Sequence, residues 1–260
     1  MKYNILATMF TLFSLLIQSQ VSCNVNGVNY KDNGGSGAKV TRDQMLAWTT
    51  GDCTKCDVTD TSLNDMSGLF KNKTSFNQDL SEWDVSNVTD MSEMFYGATS
   101  LTSVSLPETG AVTNMSYMFY GATSLTSVSL PKTGAVTNMT DMFRKATSLI
   151  SVTLLETGSL ITMRNMFLQA TSLTTANIQD TSEVEDMFAT FYGATAFNQD
   201  IRHWKVNNVM TFSNMFTGAS AMVSAFSSTP NWNTTPTNAW FRPTVTGVSS
   251  TKADGSYKSG

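Results

Sequence analysis

The 260-residue chain has one histidine, three cysteines and five prolines, and only 14% of its residues are charged. Each shortage excludes something. His203, flanked by Arg202 and Trp204, has no carboxylate or thiol beside it in a spaced motif, and reads as a solvated or structural residue. Asp79 and Asp200 recur far apart in the chain, so they make no paired acid and base. No phosphate-cradling glycine loop, nucleophile elbow or H-E-x-x-H run occurs, so no catalytic residues emerge and the chain reads as a non-enzyme. Cys53 and Cys56 have no second cysteine pair and no nearby histidine to complete a zinc site, so neither a metal nor any other cofactor is expected. A net charge of −4 without a Lys/Arg run disfavours a nucleic-acid partner. The longest apolar run, Ile5 to Ile17, is too short to span a bilayer, and no later stretch could do so.

That apolar run follows Lys2 and ends in the small or polar stretch Ser19 to Cys23, which is the pattern of a secretory signal peptide over residues 1–23. Cleavage is expected after Ser22 or Cys23. Val21-Ser22-Cys23 also fits part of a lipoprotein box, although Gln20 stands where that box wants Leu or Val. Both readings make the mature chain secreted or displayed at the cell surface. In that compartment Cys53 and Cys56 are expected to form a short structural disulfide, with Cys23–Cys53 the alternative if Cys23 survives cleavage.

What the chain does have is a repeat. Its marker methionines are Met66, Met91, Met115, Met139, Met163 and Met187, with Phe212 in the same role, at steps of 25, 24, 24, 24, 24 and 25 residues. A constant period in this range signals a solenoid, in which each unit buries its apolar face only against its neighbours. Within a unit, Met115, Met118 and Phe119 stand at i, i+3 and i+4, which predicts a helix with Asp90 or Asn138 as N-cap and Gly97, Gly121, Gly193 or Gly218 as its stop. Eleven of the 16 methionines occupy these two positions and read as core. The other half of the unit, Leu125-Thr126-Ser127-Val128-Ser129-Leu130-Pro131, predicts a short strand ended by proline. The expected fold is therefore α/β: a leucine-rich-repeat solenoid of about seven strand–helix units, with one parallel sheet on its concave face. Residues 24–62 are expected to be an N-terminal cap containing a helix from Thr41 to Trp48, residues 63–230 the repeats, and residues 231–260 a C-terminal cap and disordered tail.

Two units carry a longer signature: Phe76-Asn77-Gln78-Asp79-Leu80-Ser81-Glu82-Trp83-Asp84-Val85, running on to Met94-Phe95, and Phe197-Asn198-Gln199-Asp200-Ile201-Arg202-His203-Trp204-Lys205-Val206. This F-N-Q-D-[LI]-x-x-W-x-V pattern resembles the BspA-like leucine-rich repeat surface proteins, also described as mycoplasma-lipoprotein-type or DUF285-like repeats. The resemblance covers roughly residues 60–230. The middle units depart from it, replacing F-N-Q-D…W-D-V with T-S-L-T-S-V-S-L-P. It implies an exported, surface-displayed, non-enzymatic protein that serves adhesion or recognition, and it names no binding residue.

The alternating residues of the strands supply the candidate ligand site. Ser103, Ser105, Ser127, Ser129, Ser151, Thr153, Thr175 and Asn177 are expected to point away from the core as two ladders on the concave sheet. Such a face suits an extracellular protein or carbohydrate ligand. The alternatives are a carbohydrate- or ice-type lattice bound by the Ser/Thr rows, and self-association as a structural coat. Asn72, Asn87, Asn114, Asn138 and Asn233 lie in glycosylation sequons, to be occupied if the source is eukaryotic, although Asn87, Asn114 and Asn138 also read as caps or turns made by the repeat itself.

Overall fold

A computed structural model describes residues 21–25, 28–31, 40–49, 51, 53 and 64–241. Most of the expected signal segment (1–20), Cys56 and the expected tail (242–260) lie outside these residues. Strands β1 (Val21–Val25) and β2 (Val28–Lys31) pair antiparallel. Helix α1 (Arg42–Leu46) follows. Thr41 caps it reciprocally: its Oγ1 accepts from the Gln44 N–H, and the Gln44 Oε1 accepts from the Thr41 N–H. From Asn64 onward the chain winds as coils laid one on another, each offset from the next by one repeat.

The expected helices are not there. Between Met115 and Ala122 the backbone makes consecutive turns. The amides of Met118, Tyr120 and Ala122 donate three residues back, to Met115, Tyr117 and Phe119. The intervening amides leave the coil altogether: Met115, Tyr117, Phe119 and Gly121 donate to Asn138, Thr140, Met142 and Arg144 of the next coil, at 2.8–2.9 Å. The same division recurs from Met66 to Met187. An α-helix would send every amide four residues back. Here one residue in four turns left-handed instead of helical, first at Glu93, Tyr117, Asp141, Asn165, Ala189 and Asn214 (φ between 51° and 59°). Four residues later the same happens at Gly97, Gly121, Lys145, Gln169, Gly193 and Gly218. The glycines expected to end helices therefore serve as third residues of β-turns. Repeated i→i+3 closure also brings Met, Met and Phe to one side, which is why the spacing imitated a helix.

The residue ahead of each turn series is a cap after all, but of a turn. Asp65, Asp90, Asn114, Asn138 and Asp186 each accept from the amide two residues on, at 2.7–3.1 Å, and Thr162 and Thr211 do so with their hydroxyls. These seven residues also bridge coil to coil in parallel.

The strand half forms as predicted in the middle coils, but not as one sheet. Strands β3 (Ser103–Ser105) and β4 (Ser127–Ser129) pair in parallel, as do β5 (Ser151–Leu154) and β6 (Thr175–Ile178). No ladder joins β4 to β5, so among the described residues the expected seven-stranded sheet is two separate pairs.

Between turns and strands lies the core. Phe70, Phe95, Phe119, Phe143, Phe167, Phe191 and Phe216 stack in one column, with centroids 5.3–5.9 Å apart and rings within 12° of parallel. Ala98, Ala122, Ala146, Ala170, Ala194 and Ala219 are fully buried beside it. A second internal column went unread in the sequence. Thr109, Thr133, Thr157 and Thr181 are buried, and their hydroxyls donate to the carbonyls of Lys132, Glu156, Asp180 and Lys205 at 2.5–2.9 Å. Their signal is a Thr preceding Gly or Ser at the repeat period.

The ends of the stack are closed by side chains standing in for missing coils. The Arg42 guanidinium donates to the carbonyls of Asp65 and Ser67 at 2.9 and 2.5 Å. The equivalent carbonyls one coil later, Asp90 and Ser92, receive the amides of Met66 and Gly68. At the other end Phe216 and Asn214 donate to Thr234 O and Thr235 Oγ1. Helix α2 (Ser220–Phe226) and helix α3 (Asn238–Phe241) then bring Phe226, Trp240 and Phe241 over Phe212 and Phe216.

The left-handed positions make a graded prediction. Ala at Gly121 meets nothing within 4 Å and should cost only the left-handed strain, about 1–2 kcal/mol. Ala at Gly97 would also meet the Asn72 side-chain oxygen at 2.6 Å. Gly97→Ala should therefore lower the denaturation midpoint more than Gly121→Ala, which urea titration of the two variants would measure.

Candidate binding surface on the strand face

The predicted hydroxyl rows are brought together, pair by pair. Register sets Ser103 opposite Ser127 and Ser105 opposite Ser129, then Ser151 opposite Thr175 and Thr153 opposite Asn177. Their intervening Val104, Val152 and Ala176 point into the core, while Val128 is only half-buried. Ser105 and Thr175 are half-buried and the other six candidates are exposed. The Asn177 amide also reaches the Thr153 hydroxyl at 3.5 Å. The rows do not run unbroken, because the sheet parts between β4 and β5.

A hollow of about 450 Å³ opens over β3 and β4, lined by Ser103, Ser105, Ser127 and Ser129 and walled by Asn77, Gln78 and Asp79. A smaller one of about 220 Å³ lies beyond β6, between Asn177, Gln199 and His203. Each lies where an F-N-Q-D coil meets the strand coils, and the glutamine of that motif explains the junction. Gln199 Oε1 accepts from the Ala176 amide of β6 at 2.7 Å, so a side-chain amide takes the place of the next strand. Its Nε2 donates to Asn177 Oδ1 at 3.2 Å. Gln78 does the same toward the preceding segment, accepting from Cys53 N at 2.7 Å and donating to Gly51 O at 2.5 Å. Asn77 Oδ1 accepts from the Thr102 amide at 3.0 Å, just ahead of β3. The motif read in the sequence as a family signature is thus a sheet terminator. Its place at both ends of the four strands defines how much strand face is open.

This face is nearly uncharged. The exposed apolar side chains Ile150 and Leu155 flank β5, and the half-buried Val128 lies between the serines of β4. Asp79 is the carboxylate of the larger hollow, and the Ser81 amide and then its hydroxyl hold its pKa below the ordinary 3.8. Asp84 is lowered by Ser86 and Asp180 by Ser182 in the same way, and Asp200 by Arg202. The sign follows: a carboxyl depressed in the folded state stabilises it above the unfolded value, and the benefit is lost as pH falls through the folded values. The melting temperature should be level from pH 7 to about 5 and drop below about 4, as thermal melts across that range would show.

Cys53 is buried, and its carbonyl accepts from Trp83 Nε1 at 2.8 Å. Among the sequons, Asn72, Asn87 and Asn233 are exposed, whereas Asn114 and Asn138 are half-buried turn caps. The Asn114 amide nitrogen, the atom a glycan would take, donates to Asp90. Made in a eukaryotic secretory host, the chain should carry glycan at Asn72, Asn87 and Asn233 and none at Asn114 and Asn138, as glycopeptide mass spectrometry would reveal. His203 is exposed at the rim of the smaller hollow. Among the described residues no three His, Cys, Asp or Glu side chains converge to hold a metal, and no helix is long and apolar enough to cross a membrane.

Comparison with known proteins gives a family and loose structural likenesses. No curated protein matches the chain. Among solved structures, the T. pallidum leucine-rich repeat protein (TpLRR) is 21% identical over 50% of this chain and 69% of its own, with a TM-score of 0.30. An internalin C2 from Listeria monocytogenes is 17% identical over 65% of this chain and 76% of its own, with a TM-score of 0.34. No functional conclusion rests on superpositions this loose. The family described as "Mycoplasma protein of unknown function, DUF285" matches residues 46–153 and again 137–247. These two overlapping matches take in both F-N-Q-D coils and every strand coil between them, and the chain belongs to the DUF285 family.

Proposed function

We propose that this is an exported or cell-surface, non-enzymatic repeat protein of the BspA-like kind. Its coils make a leucine-rich-repeat solenoid of about seven units, which binds an extracellular protein or carbohydrate ligand on the strand face in adhesion or recognition. The observation that carries this reading is the hollow of about 450 Å³ over Ser103, Ser105, Ser127 and Ser129, whose hydroxyls are held in register by the β3–β4 pairing. Rigidly spaced hydroxyls present donors and acceptors to a ligand without having to be ordered on binding. The signal-like segment at residues 1–23 and the family support the location.

Two other readings compete. The paired register of the Ser rows favours a repeating lattice such as carbohydrate or ice, but the parting between β4 and β5 limits each matched row to two coils. A coat component that self-associates end to end would need coil ends open to one another, and here Arg42 and Thr234 occupy them. The test is binding of the purified chain to a panel of glycans, matrix proteins and intact cells, beside a Ser127→Lys/Ser129→Lys variant. Saturable binding by the wild type, weakened roughly tenfold or more in the variant, is expected. Equal binding by both would move the site off the strand face.

A further inference from the structure

Tyrosine and arginine, the residues that dominate protein–protein hot spots, are missing from the strand hollow and gathered on the opposite, turn side of the coils. Lys71, Tyr96, Tyr120 and Arg144 occupy the same place in four successive coils. The Tyr96 and Tyr120 rings lie 4.6 Å apart and within 1° of parallel. Lys71 covers the Tyr96 ring at 5.0 Å from its centroid, and Arg144 covers the Tyr120 ring at 5.4 Å. Lys145 adds a second cation 5.8 Å from Tyr120.

The stack is fixed from beneath. Arg144 Nη1 donates to the buried Asp141 carboxylate at 3.0 Å, and Asn165 Nδ2 donates to it at 3.2 Å. The Tyr117 ring lies 6.2 Å from Tyr120, and burial, followed by Asp141, pushes its phenol above the ordinary value. Lys71 is held by Glu93. The ring faces are used internally, and the polar edges are not. Neither the Tyr96 nor the Tyr120 hydroxyl has a hydrogen-bond partner among the described residues, and Lys145 has no ion-pair partner there. Beside Tyr120, Gly121 leaves the backbone open, with nothing within 4 Å of where a side chain would start.

The result is a rigid row of donors, two phenols flanked by cations, repeating at one coil per step. Lys71, Arg144 and Lys145 outweigh Glu93 and Asp141, so the stripe is locally positive on a chain of net charge −4. We propose that this turn-face stripe is a second binding surface, which docks an acidic, extended segment of a protein partner laid across the coils. Carboxylates of that segment would accept from the Tyr96 and Tyr120 hydroxyls and pair with Lys145. Its side-chain methylenes would lie on the tyrosine edges and the lysine and arginine stems, a contact that a sulfated glycan cannot make as fully. Because the rings are already stacked, little freedom is lost on binding. This surface is independent of the strand-face reading.

The test is fluorescence anisotropy of a labelled oligoglutamate peptide titrated with the full chain, beside oligolysine and heparin. Oligoglutamate should bind, oligolysine should not, and added salt should weaken the complex. Tyr96→Phe/Tyr120→Phe keeps the stack but removes both donors, and should weaken binding about tenfold. Lys145→Glu should abolish it, with unchanged melting temperatures showing that both variants fold. Ser127→Lys/Ser129→Lys should bind as the wild type does. Absence of oligoglutamate binding, or equal affinity in the tyrosine and lysine variants, overturns the proposal. Binding of heparin without oligoglutamate also overturns it, and assigns the stripe to a sulfated polymer.

Discussion

Everything in this fold depends on how the turn amides are divided. Half of them close β-turns within their own coil and half donate to the next coil, as with Tyr117 to Thr140 and Gly121 to Arg144. A coil taken alone would leave every second amide of its turn face without a partner, and each such group, if buried, costs on the order of 1–3 kcal/mol. No unit is therefore stable by itself. The ladder also sets the distance between coils, and with it the spacing of every column of side chains. The phenylalanine stack, the buried threonines and the tyrosine–cation stripe are all consequences of that single repeat distance.

The same constraint explains the ends and the interruptions. A repeating ladder always has a last rung, and here each end is occupied by atoms placed as a further coil would place them. Arg42 supplies two donors from a capped helix, and Thr234 and Thr235 supply two acceptors. Inside the stack, Gln199 finishes the β6 pairing with its side-chain amide, and Gln78 makes the corresponding bonds to Gly51 and Cys53 ahead of the repeats. The F-N-Q-D coils thus bound a four-strand window, and both hollows of the strand face fall at its edges. The two faces then differ in chemistry: hydroxyls without cations on one side, aromatic rings and cations on the other.

Much of this was legible in the sequence. The period fixed the stacking, the alternation around Val104 and Val152 fixed which residues face outward, and the Met, Phe and Ala positions are core as their spacing implied. The turn half was misread as helix because Met115, Met118 and Phe119 satisfy an i, i+3, i+4 rule that successive β-turns satisfy equally well. A better signal was present: Gly68, Asn165 and Asn214 at one position, and Asn72, Gly97, Gly121, Gly193 and Gly218 four residues on. Those residue types tolerate left-handed backbone, and their recurrence marks turns. The stripe was invisible for another reason. Tyr96, Tyr120 and Arg144 lie a full repeat apart, and nothing local says that their side chains meet.

By itself the sequence determined the repeat, the core positions, the outward hydroxyl rows and the poverty of catalytic groups, because each of these is written in residue type and spacing along one strand of chain. The tertiary structure alone decided whether the turn half coils or becomes helical, where the sheet parts, and which side chains of successive coils form a surface. The physical reason is the destination of the amides. A helix satisfies its hydrogen bonds locally, so its propensity can be read from one segment. Here every second bond is made to a residue about 24 positions away, and its existence depends on the neighbouring coil being already in place.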